Sequence, residues 1–262
     1  MGKLELFIPC YQLLTTNNQQ LPTNYAMPQY FIHPDNIRDG CFSADEEESH
    51  HITRVARKRV GDEIEIFDGK GRRYLGVIDT AGVIVSGKLK GDLDSPVYKI
   101  RLVMCFAPVS RSSAEAIIEH CTEAGVAAFQ PVLTSRTQFD WFESWSEKAR
   151  RFEQLLIAAC KQCGRASFPE LLKPQKLDDL LGSGCTAIIA SGEAGRNFEA
   201  VAKGLQGASE VKVFIGPEGG FTRGEMEYAA EKGVKSFSLG KHTLRAETAA
   251  LAAAAIILDS LG

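Results

Sequence analysis

The sequence has no long apolar segment. No run approaches the roughly 18 apolar residues that a membrane-spanning helix needs. The first residues also lack a basic stretch followed by an apolar core, so we expect neither a membrane anchor nor a secretory signal. An excess of one charge is missing too, since 30 Lys and Arg stand against 33 Asp and Glu, a net charge of −3. Overall charge therefore does not indicate a nucleic-acid-binding protein, although a local basic face could still make it one.

The fingerprints of two nucleotide-binding classes are absent as well. The glycines of the most prominent bend fall at Gly216, Gly219 and Gly220, so this bend does not read G-x-G-x-x-G. The pattern G-x-x-x-x-G-K-[ST] does not occur anywhere in the chain. These absences disfavour a dinucleotide enzyme and a nucleoside triphosphatase.

The cysteines do not form a disulfide framework. They number seven, an odd count, and are scattered along the chain, which is typical of reduced thiols in the cytoplasm. The single C-x-x-C, Cys160 to Cys163, has no second pair of ligands nearby and ends a predicted helix. His50 and His51, adjacent on a helix, would point about 100° apart. We therefore expect no metal site and no redox function.

A chain of 262 residues suits one large domain or two smaller ones. Residues 1–26 are polar and without periodicity, and we expect a dispensable extension; the alternative is an added strand at residues 4–10. Residues 27–95 alternate apolar and polar positions between glycine-containing turns, which predicts a small β-barrel. We predict strands there at 63–67, 74–79 and 83–88, a helix at about 44–59, and a linker at 91–96.

Residues 96–262 change to alternating strands and helices, a pattern that predicts an α/β domain with a parallel sheet covered on both faces. Two segments, beginning at Ser112 and at Thr222, have the spacing of a helix capping box. The predicted strands are 100–106, 128–133, 186–190, 211–215 and 236–239, and the predicted helices are 112–124, 144–163, 222–233 and 247–261.

Two late bends are the best candidates for a ligand site. The first, residues 216–220, follows an apolar strand and precedes a capped helix, whose N-terminus directs unpaired N–H groups at a ligand. The second, residues 239–245, leads from the next strand into an alanine-rich helix. The carboxyl ends of parallel strands meet at one edge of a sheet, so both bends could surround one small ligand. The alternative is that each is an ordinary strand-to-helix turn.

Charged residues near these bends and near the N-terminal barrel have open interpretations. Arg245 offers a planar fork of donors, whereas Glu247 could serve only to stabilise the start of a helix. Lys161 and Arg165, one turn apart at a helix end, could contact phosphate. Seven cations between residues 51 and 73 could combine into a basic face for RNA, or form an ordinary charged surface; they are Arg54, Arg57, Lys58, Arg59, Lys70, Arg72 and Arg73.

These segments resemble the RsmE family of S-adenosylmethionine-dependent methyltransferases, which methylate N3 of one uridine in 16S ribosomal RNA. The likeness is carried by the motif at 215–220, by Leu239-Gly240 and by residues 244–249. Further similar segments lie at 51–69, 119–136 and 158–165, so the resemblance covers about residue 27 to the C-terminus.

The resemblance implies a PUA-like β-barrel followed by a SPOUT α/β domain with a trefoil knot, and a homodimer that acts on the small ribosomal subunit. It also implies roles for individual residues. The cofactor would be bound by Ser191, Gly192, Glu193, Ile215, Gly216, Pro217, Glu218, Gly219, Gly220, Leu239, Gly240, Leu244, Arg245 and Thr248. RNA would be bound by Arg54, Arg57, Arg72, Arg136, Lys161 and Arg165.

The predicted mechanism is direct methyl transfer without a covalent enzyme intermediate. Arg245 would stabilise the negative charge of deprotonated uridine, and either Glu247 or Glu218 would accept the N3 proton. Arg136 or Arg165 would contact phosphate. Two other functions remain open: a methyltransferase of the same fold with another target, such as the ribose 2′-hydroxyl, and a non-catalytic RNA-binding factor in ribosome assembly.

Overall fold

A computed structural model describes residues 29–95, 98–195 and 197–261. The predicted extension and its alternative strand lie outside these residues. The N-terminal part is a six-stranded half-barrel sheet in the order β1-β4-β5-β6-β3-β2, in which β1 pairs with β4 in parallel and the other pairs are antiparallel. Its strands are β1 (Gln29–Phe31), β2 (Ile37–Arg38), β3 (Cys41–Ser43), β4 (Glu63–Phe67), β5 (Arg73–Ala81) and β6 (Val85–Leu93).

Alternation of side chains builds the core of this sheet. Along β5, Tyr74, Gly76 and Ile78 are buried while the residues between them are partly exposed, as period-2 patterning predicts. The predicted linker at 91–96 is wrong in part, because β6 continues to Leu93. The core of the half-barrel consists of Tyr30, Ile32, Phe42, Ala44, Ile52, Ile64, Ile66, Tyr74, Ile78 and Val85.

The helix predicted at 44–59 is shorter than expected. Helix α1 (Glu46–His50) is capped by the Asp45 carboxylate, which accepts from the Glu48 N–H at 2.7 Å. A π-helical turn, His51–Val55, continues it, with the Ala56 N–H donating to the His51 carbonyl. The chain then leaves the helix, because Arg57 has a left-handed φ of 56°.

The C-terminal part is a parallel sheet of seven strands. Its order is β10-β8-β7-β12-β11-β13, and β9 pairs with β8 off this path. The central strands are buried on both faces, which explains their continuous apolar sequence. The strands are β7 (Arg101–Phe106), β8 (Ala128–Leu133), β9 (Glu170–Leu171), β10 (Gln175–Lys176), β11 (Ala187–Ala190), β12 (Glu210–Ile215) and β13 (Lys235–Phe237).

Helices cover both faces of this sheet. One face is covered by α2 (Arg111–Ala124), α3 (Trp145–Cys163), α5 (Phe198–Ala202) and α7 (Ala246–Leu261), and the other by α4 (Leu177–Gly182) and α6 (Arg223–Glu231). The sequence did not predict α4 and α5. Among the described residues, none of the helices combines the length and apolarity that crossing a bilayer requires. The threading of a trefoil knot stays a prediction.

The two predicted capping boxes have different outcomes. At α6 the box is confirmed: the Thr222 hydroxyl accepts from the Glu225 N–H, and the Glu225 carboxylate accepts from the Thr222 N–H at 2.7 Å. At α2 it is wrong, because the cap is Ser110, whose hydroxyl accepts from the Ser113 N–H. The predicted box paired Ser112 with Glu115. The Glu115 carboxylate instead forms ion pairs with Arg111 and Arg151.

Candidate functional site

A cavity of about 380 Å³ lies at the carboxyl ends of β11, β12 and β13. These strands are parallel neighbours, so the loops that follow them meet at one edge of the sheet. These loops supply most of the lining, and the loop after β8, helix α6 and the first turn of α7 supply the rest. The lining residues are Arg136, Ala190–Glu193, Ile215–Phe221, Met226, Ser238–Leu244, Ala246 and Ala249.

The bend after β12 is built by glycine. Gly220 has a left-handed φ of 66°, and its N–H donates to the Pro217 carbonyl at 2.8 Å, which closes a tight turn. A side chain at Gly216 would stand 3.1 Å from the Phe221 ring, a tight contact that would force the ring to shift by a few tenths of an ångström. The tight turn of residues 216–220 therefore forms this wall of the cavity.

The bends after β13 and β11 are fixed by short serine turns. The Ser238 hydroxyl donates to the Gly240 carbonyl at 2.8 Å, and Gly240 has a φ of 146°. After β11, the Ser191 N–H donates to the Phe237 carbonyl at 3.0 Å, which joins the two bends. The Ser191 hydroxyl also accepts from the Glu193 N–H. The hydrogen bond from the Ser191 N–H to the Phe237 carbonyl connects two of the cavity's walls directly.

Arg136 forms part of the same site, although it comes from a distant loop after β8. Its guanidinium donates to the carbonyls of Gly219 and Phe221. The loop itself is held by Glu225, whose carboxylate accepts from the Ser135 N–H at 2.7 Å. The resemblance assigned Arg136 to RNA binding and not to the cavity, because nothing in a linear sequence connects Arg136 with Gly219, 83 positions away.

Glu225 joins the Ser135 loop to the first turn of α6. Its burial alone would raise the pKa of its carboxyl, but hydrogen bonds from the backbone N–H groups of Ser135 and Thr222 and from the Thr222 hydroxyl outweigh burial, and the pKa is lowered. Glu225 is therefore held as a carboxylate. It was not among the predicted site residues, and its capping-box spacing was the only signal for it.

The predicted cofactor residues come together with two exceptions. All of them line the cavity except Arg245 and Thr248. Both are exposed at the start of α7, whereas Ala246 and Ala249 on the same turn face the cavity. Of the three predicted catalytic residues, only Glu218 lines it; Glu247 is half-buried outside the lining. The predicted turn of α7 therefore borders the cavity through its alanines rather than through its polar side chains.

The cations of the predicted basic face lie at both ends of strand β5 in the half-barrel. Arg54, Lys58 and Arg59 line an open cleft of about 540 Å³ together with Thr53, Val60, Ala81 and Gly82, at the end of β5. Arg72 lies just before the start of β5, roughly 30 Å away for a strand of that length. Arg72 therefore lies at the other end of β5 from this cleft, and a single basic face that combines all seven cations stays a prediction. Arg57 is exposed beside the first group.

Lys161 and Arg165 are both engaged within the protein. The Lys161 ammonium donates to the Glu48 carboxylate at 2.7 Å. The Arg165 guanidinium donates to the Val126 carbonyl at 2.6 Å and to the Thr122 carbonyl at 3.3 Å, and burial lowers its pKa. Arg165 thus completes the end of α2, and these contacts argue against a phosphate role for either residue.

Of the two cysteines in the C-x-x-C segment, Cys160 belongs to the small core around Phe67, whereas Cys163 is exposed. Burial raises the pKa of the Cys160 thiol to about 12 and also raises the pKa of Cys163. Both are therefore held in the thiol form, which is the unreactive one. Within the described ranges, no group of three or more His, Cys, Asp or Glu side chains could hold a metal ion.

A cavity lined by loops at the carboxyl edge of a parallel sheet defines a ligand-binding α/β protein. Comparison with known proteins makes this class more specific. The family described as RNA methyltransferase domain matches residues 96–258, and the RNA methyltransferase PUA domain matches residues 44–82. The chain belongs to this family of RNA methyltransferases.

Its relatives carry a consistent name. The chain is 29% identical over 216 residues to the ribosomal RNA small subunit methyltransferase E of Rickettsia conorii, covering 81% of this chain and 86% of that protein. It is 28% identical to the protein of the same name from Synechocystis, covering 86% and 75%. The structure is also similar to that of the Neisseria gonorrhoeae methyltransferase E bound to S-adenosyl methionine, with a TM-score of 0.80 and 25% identity over 90% of this chain and 98% of that one.

Proposed function

We propose that this protein transfers a methyl group from S-adenosylmethionine to N3 of a uridine in 16S ribosomal RNA of the small subunit. Membership of the RNA methyltransferase family and the names of the relatives support the reaction class and the ribosomal substrate. The observation that carries the proposal is the cavity formed by the three bends at the edge of the sheet. A trefoil knot, a homodimer and a cytoplasmic location belong to the same proposal.

The cavity fits this cofactor in size and in chemistry. A volume of about 380 Å³ lies within the range of small-molecule sites. Its apolar surface, which includes Ile215, Leu239 and Leu244, suits an adenosine ring, and its glycine-rich backbone offers N–H and C=O groups to a nucleoside and an amino acid. Glu193 and Glu218 place carboxylates on the rim, where they favour a ligand that carries positive charge. When bound, S-adenosylmethionine supplies a methyl carbon activated by its sulfonium.

The chain's own residues have two tasks. Uridine N3 carries a proton that must leave before N3 can act as a nucleophile, and the resulting charge spreads onto O2 and O4 of the base. Glu218 is the stronger candidate to accept the proton, because it lines the cavity and its side chain is exposed. Glu247 lies outside the lining and is half-buried. Arg245, exposed next to the rim, is the candidate for stabilising the charge.

Catalytic roles are tested by three variants. Glu218→Gln should lower kcat by about 10²–10⁴, the usual contribution of a general base. Arg245→Ala should lower kcat by about 10² while cofactor affinity changes little, because Arg245 does not line the cavity. Glu247→Gln serves as the matched control and should leave kcat nearly unchanged. A large loss in the Glu247 variant with none in the Glu218 variant would reverse the assignment.

RNA would be held by the half-barrel as well as by the C-terminal α/β part, residues 98–261, which is the catalytic part of the protein. The cleft of Arg54, Lys58 and Arg59 presents cations on an open surface, as phosphate binding requires. Arg54→Glu with Arg59→Glu should weaken RNA binding. The slope of log affinity against log salt should also flatten, by about 0.7 to 0.9 for each phosphate that is no longer neutralised. Arg72→Glu, on the opposite end of β5, is the control. Equal losses of RNA affinity in both variants would mean that the cleft does not bind RNA in preference to the rest of the surface.

The target is tested directly. Small subunits from cells that lack the modification are incubated with the protein and labelled cofactor, and the RNA is digested to nucleosides for mass spectrometry. We expect label in N3-methyluridine, at a uridine that is unpaired, because pairing occupies N3. Label on a ribose 2′-hydroxyl or another base would contradict the proposed target. No incorporation, together with no cofactor binding, would favour a non-catalytic role.

A further inference from the structure

The half-barrel and the catalytic part meet at a compact joint. Three aromatic rings pack across it: Phe31 and Phe67 from the half-barrel and Phe168 from the segment after α3, with ring centroids 4.9 to 5.8 Å apart. The Phe168 N–H donates to the Gly69 carbonyl at 2.9 Å. A side chain at Gly69 would overlap the Phe168 ring. The joint therefore depends on close approach of backbone and ring.

One ion pair crosses beside these rings. The Lys161 ammonium on α3 lies 2.7 Å from the Glu48 carboxylate on α1, and the two side chains are only 22% and 8% exposed. Burial raises the pKa of Glu48, and the bond from Lys161 opposes that rise. A buried carboxylate without its partner is strongly unfavourable, so the pair resists separation more than a surface pair does.

The position of this pair connects the two candidate binding surfaces. Glu48 lies on α1, and the π-helical turn that continues α1 carries Arg54 of the basic cleft. Lys161 lies in the last turn of α3, four residues before Arg165, which is bonded to Val126 just ahead of β8. Strand β8 leads in turn to the loop of Arg136 at the cavity. The rings pack the two parts against each other, and the ion pair adds a second, directional contact between α1 and α3.

We propose that Glu48 and Lys161 form a positioning pair that holds the basic cleft at a fixed orientation to the cofactor cavity, so that one long RNA engages both. This inference depends on the proposed function. Two linked sites raise affinity only when their geometry permits simultaneous binding. Loss of the pair should therefore weaken binding of a long RNA that contacts both sites. It should not affect binding of a short RNA that reaches only the cavity.

The test compares two substrates in four proteins. The substrates are the intact small subunit and a short oligonucleotide that contains the target uridine. The proteins are wild type, Lys161→Met, the charge exchange Glu48→Lys with Lys161→Glu, and the control Lys90→Met, which removes an exposed ion pair with Glu63. We expect Lys161→Met to raise KM for the subunit by about tenfold and to leave kcat for the subunit unchanged. KM and kcat for the oligonucleotide should both stay at the wild-type values. The charge exchange should restore most of the loss.

Equal effects on both substrates, or no effect on either, would overturn the proposal, as would a folded charge-exchange protein that restores nothing. Amide hydrogen exchange tests the same proposal independently of activity. It can be measured even if the Lys161→Met protein is too unstable for kinetics. Amides of Gly71 and Phe168, which bond across the joint, should exchange faster in the milder Glu48→Gln variant than in wild type. Unchanged exchange there would also overturn the proposal. If wild type fails to bind cofactor, the proposed function fails, while the exchange data still test the joint.

Discussion

Replacing Glu225 by Gln should loosen one wall of the cavity while leaving its shape almost unchanged. The carboxylate accepts three hydrogen bonds: two from Thr222, at 2.7 and 3.0 Å, and one from the Ser135 N–H at 2.7 Å. An amide has one oxygen, so Gln can satisfy Thr222 or Ser135 but must turn an NH₂ group toward the other. The loop of Arg136, which contacts Gly219, then loses its anchor.

The magnitude follows from these hydrogen bonds. A hydrogen bond to a charged group contributes about 1.5–3 kcal/mol. Removing a carboxylate from the first turn of a helix costs about a further 0.5 kcal/mol. We therefore expect Glu225→Gln to reduce the free energy of unfolding by about 2–3.5 kcal/mol at pH 7. The control is Glu227→Gln on the same helix, whose exposed pair with Arg223 should contribute about 0.5 kcal/mol or less.

The destabilisation should depend on pH with a defined sign. The folded-state pKa of Glu225 is lowered, so its stabilisation is complete above the unfolded-state pKa, about 4.3 for Glu, and is lost as pH falls through the lower folded-state pKa. The difference between wild type and Glu225→Gln should thus be constant from pH 7 to about pH 5 and shrink as the solution becomes more acidic.

Urea unfolding monitored by tryptophan fluorescence measures this difference. Both tryptophans, Trp141 and Trp145, belong to the catalytic part, so the signal reports the unfolding of that part. Cofactor affinity measured by calorimetry should fall in parallel. A destabilisation no larger than that of Glu227→Gln, or one that grows as pH falls, would refute the role assigned to Glu225.

Three further predictions concern stability. Arg165→Ala should lower the free energy of unfolding by about 2–4 kcal/mol, because the Val126 carbonyl loses a charged donor, and fluorescence-monitored urea unfolding checks this. Gly69→Ala should destabilise the joint by more than about 1 kcal/mol, since φ is 71° and the new methyl overlaps the Phe168 ring; amide exchange at Phe168 should rise, and unchanged exchange would contradict it. Arg57→Gly should change the free energy of unfolding by about 0.5 kcal/mol or less, because glycine relieves the left-handed strain but raises the entropy of the unfolded chain. A loss of RNA binding in this variant would then be due to the missing charge.

The late bends could be predicted because their residue types allow few other structures. Glycines at 216, 219 and 220 directly after an apolar strand permit a tight turn, and parallel strands bring their carboxyl ends together. Interactions that depend on distant parts of the chain could not be predicted in this way. Arg136 lies at the cavity in a loop that is hydrogen-bonded to Glu225 on α6, 90 positions along the chain from Ser135.

Basic residues were the least predictable part of the site. Composition cannot distinguish a cation that faces RNA from one that completes a helix end or an ion pair, as Arg165 and Lys161 do. The separation of Arg72 from Arg54 comes from the length of β5, which the sequence pattern underestimated. Helices α4 and α5, of six and five residues, are too short to show a helical period.

The central claim is that the bends after β11, β12 and β13 together bind the methyl donor. A crystal structure of the protein with S-adenosylmethionine tests it most directly. We expect electron density for the cofactor between Gly216–Gly220 and Leu239–Leu244, touching backbone groups of both. Density at any other place, or crystals grown with saturating cofactor that show an empty cavity here, would contradict it.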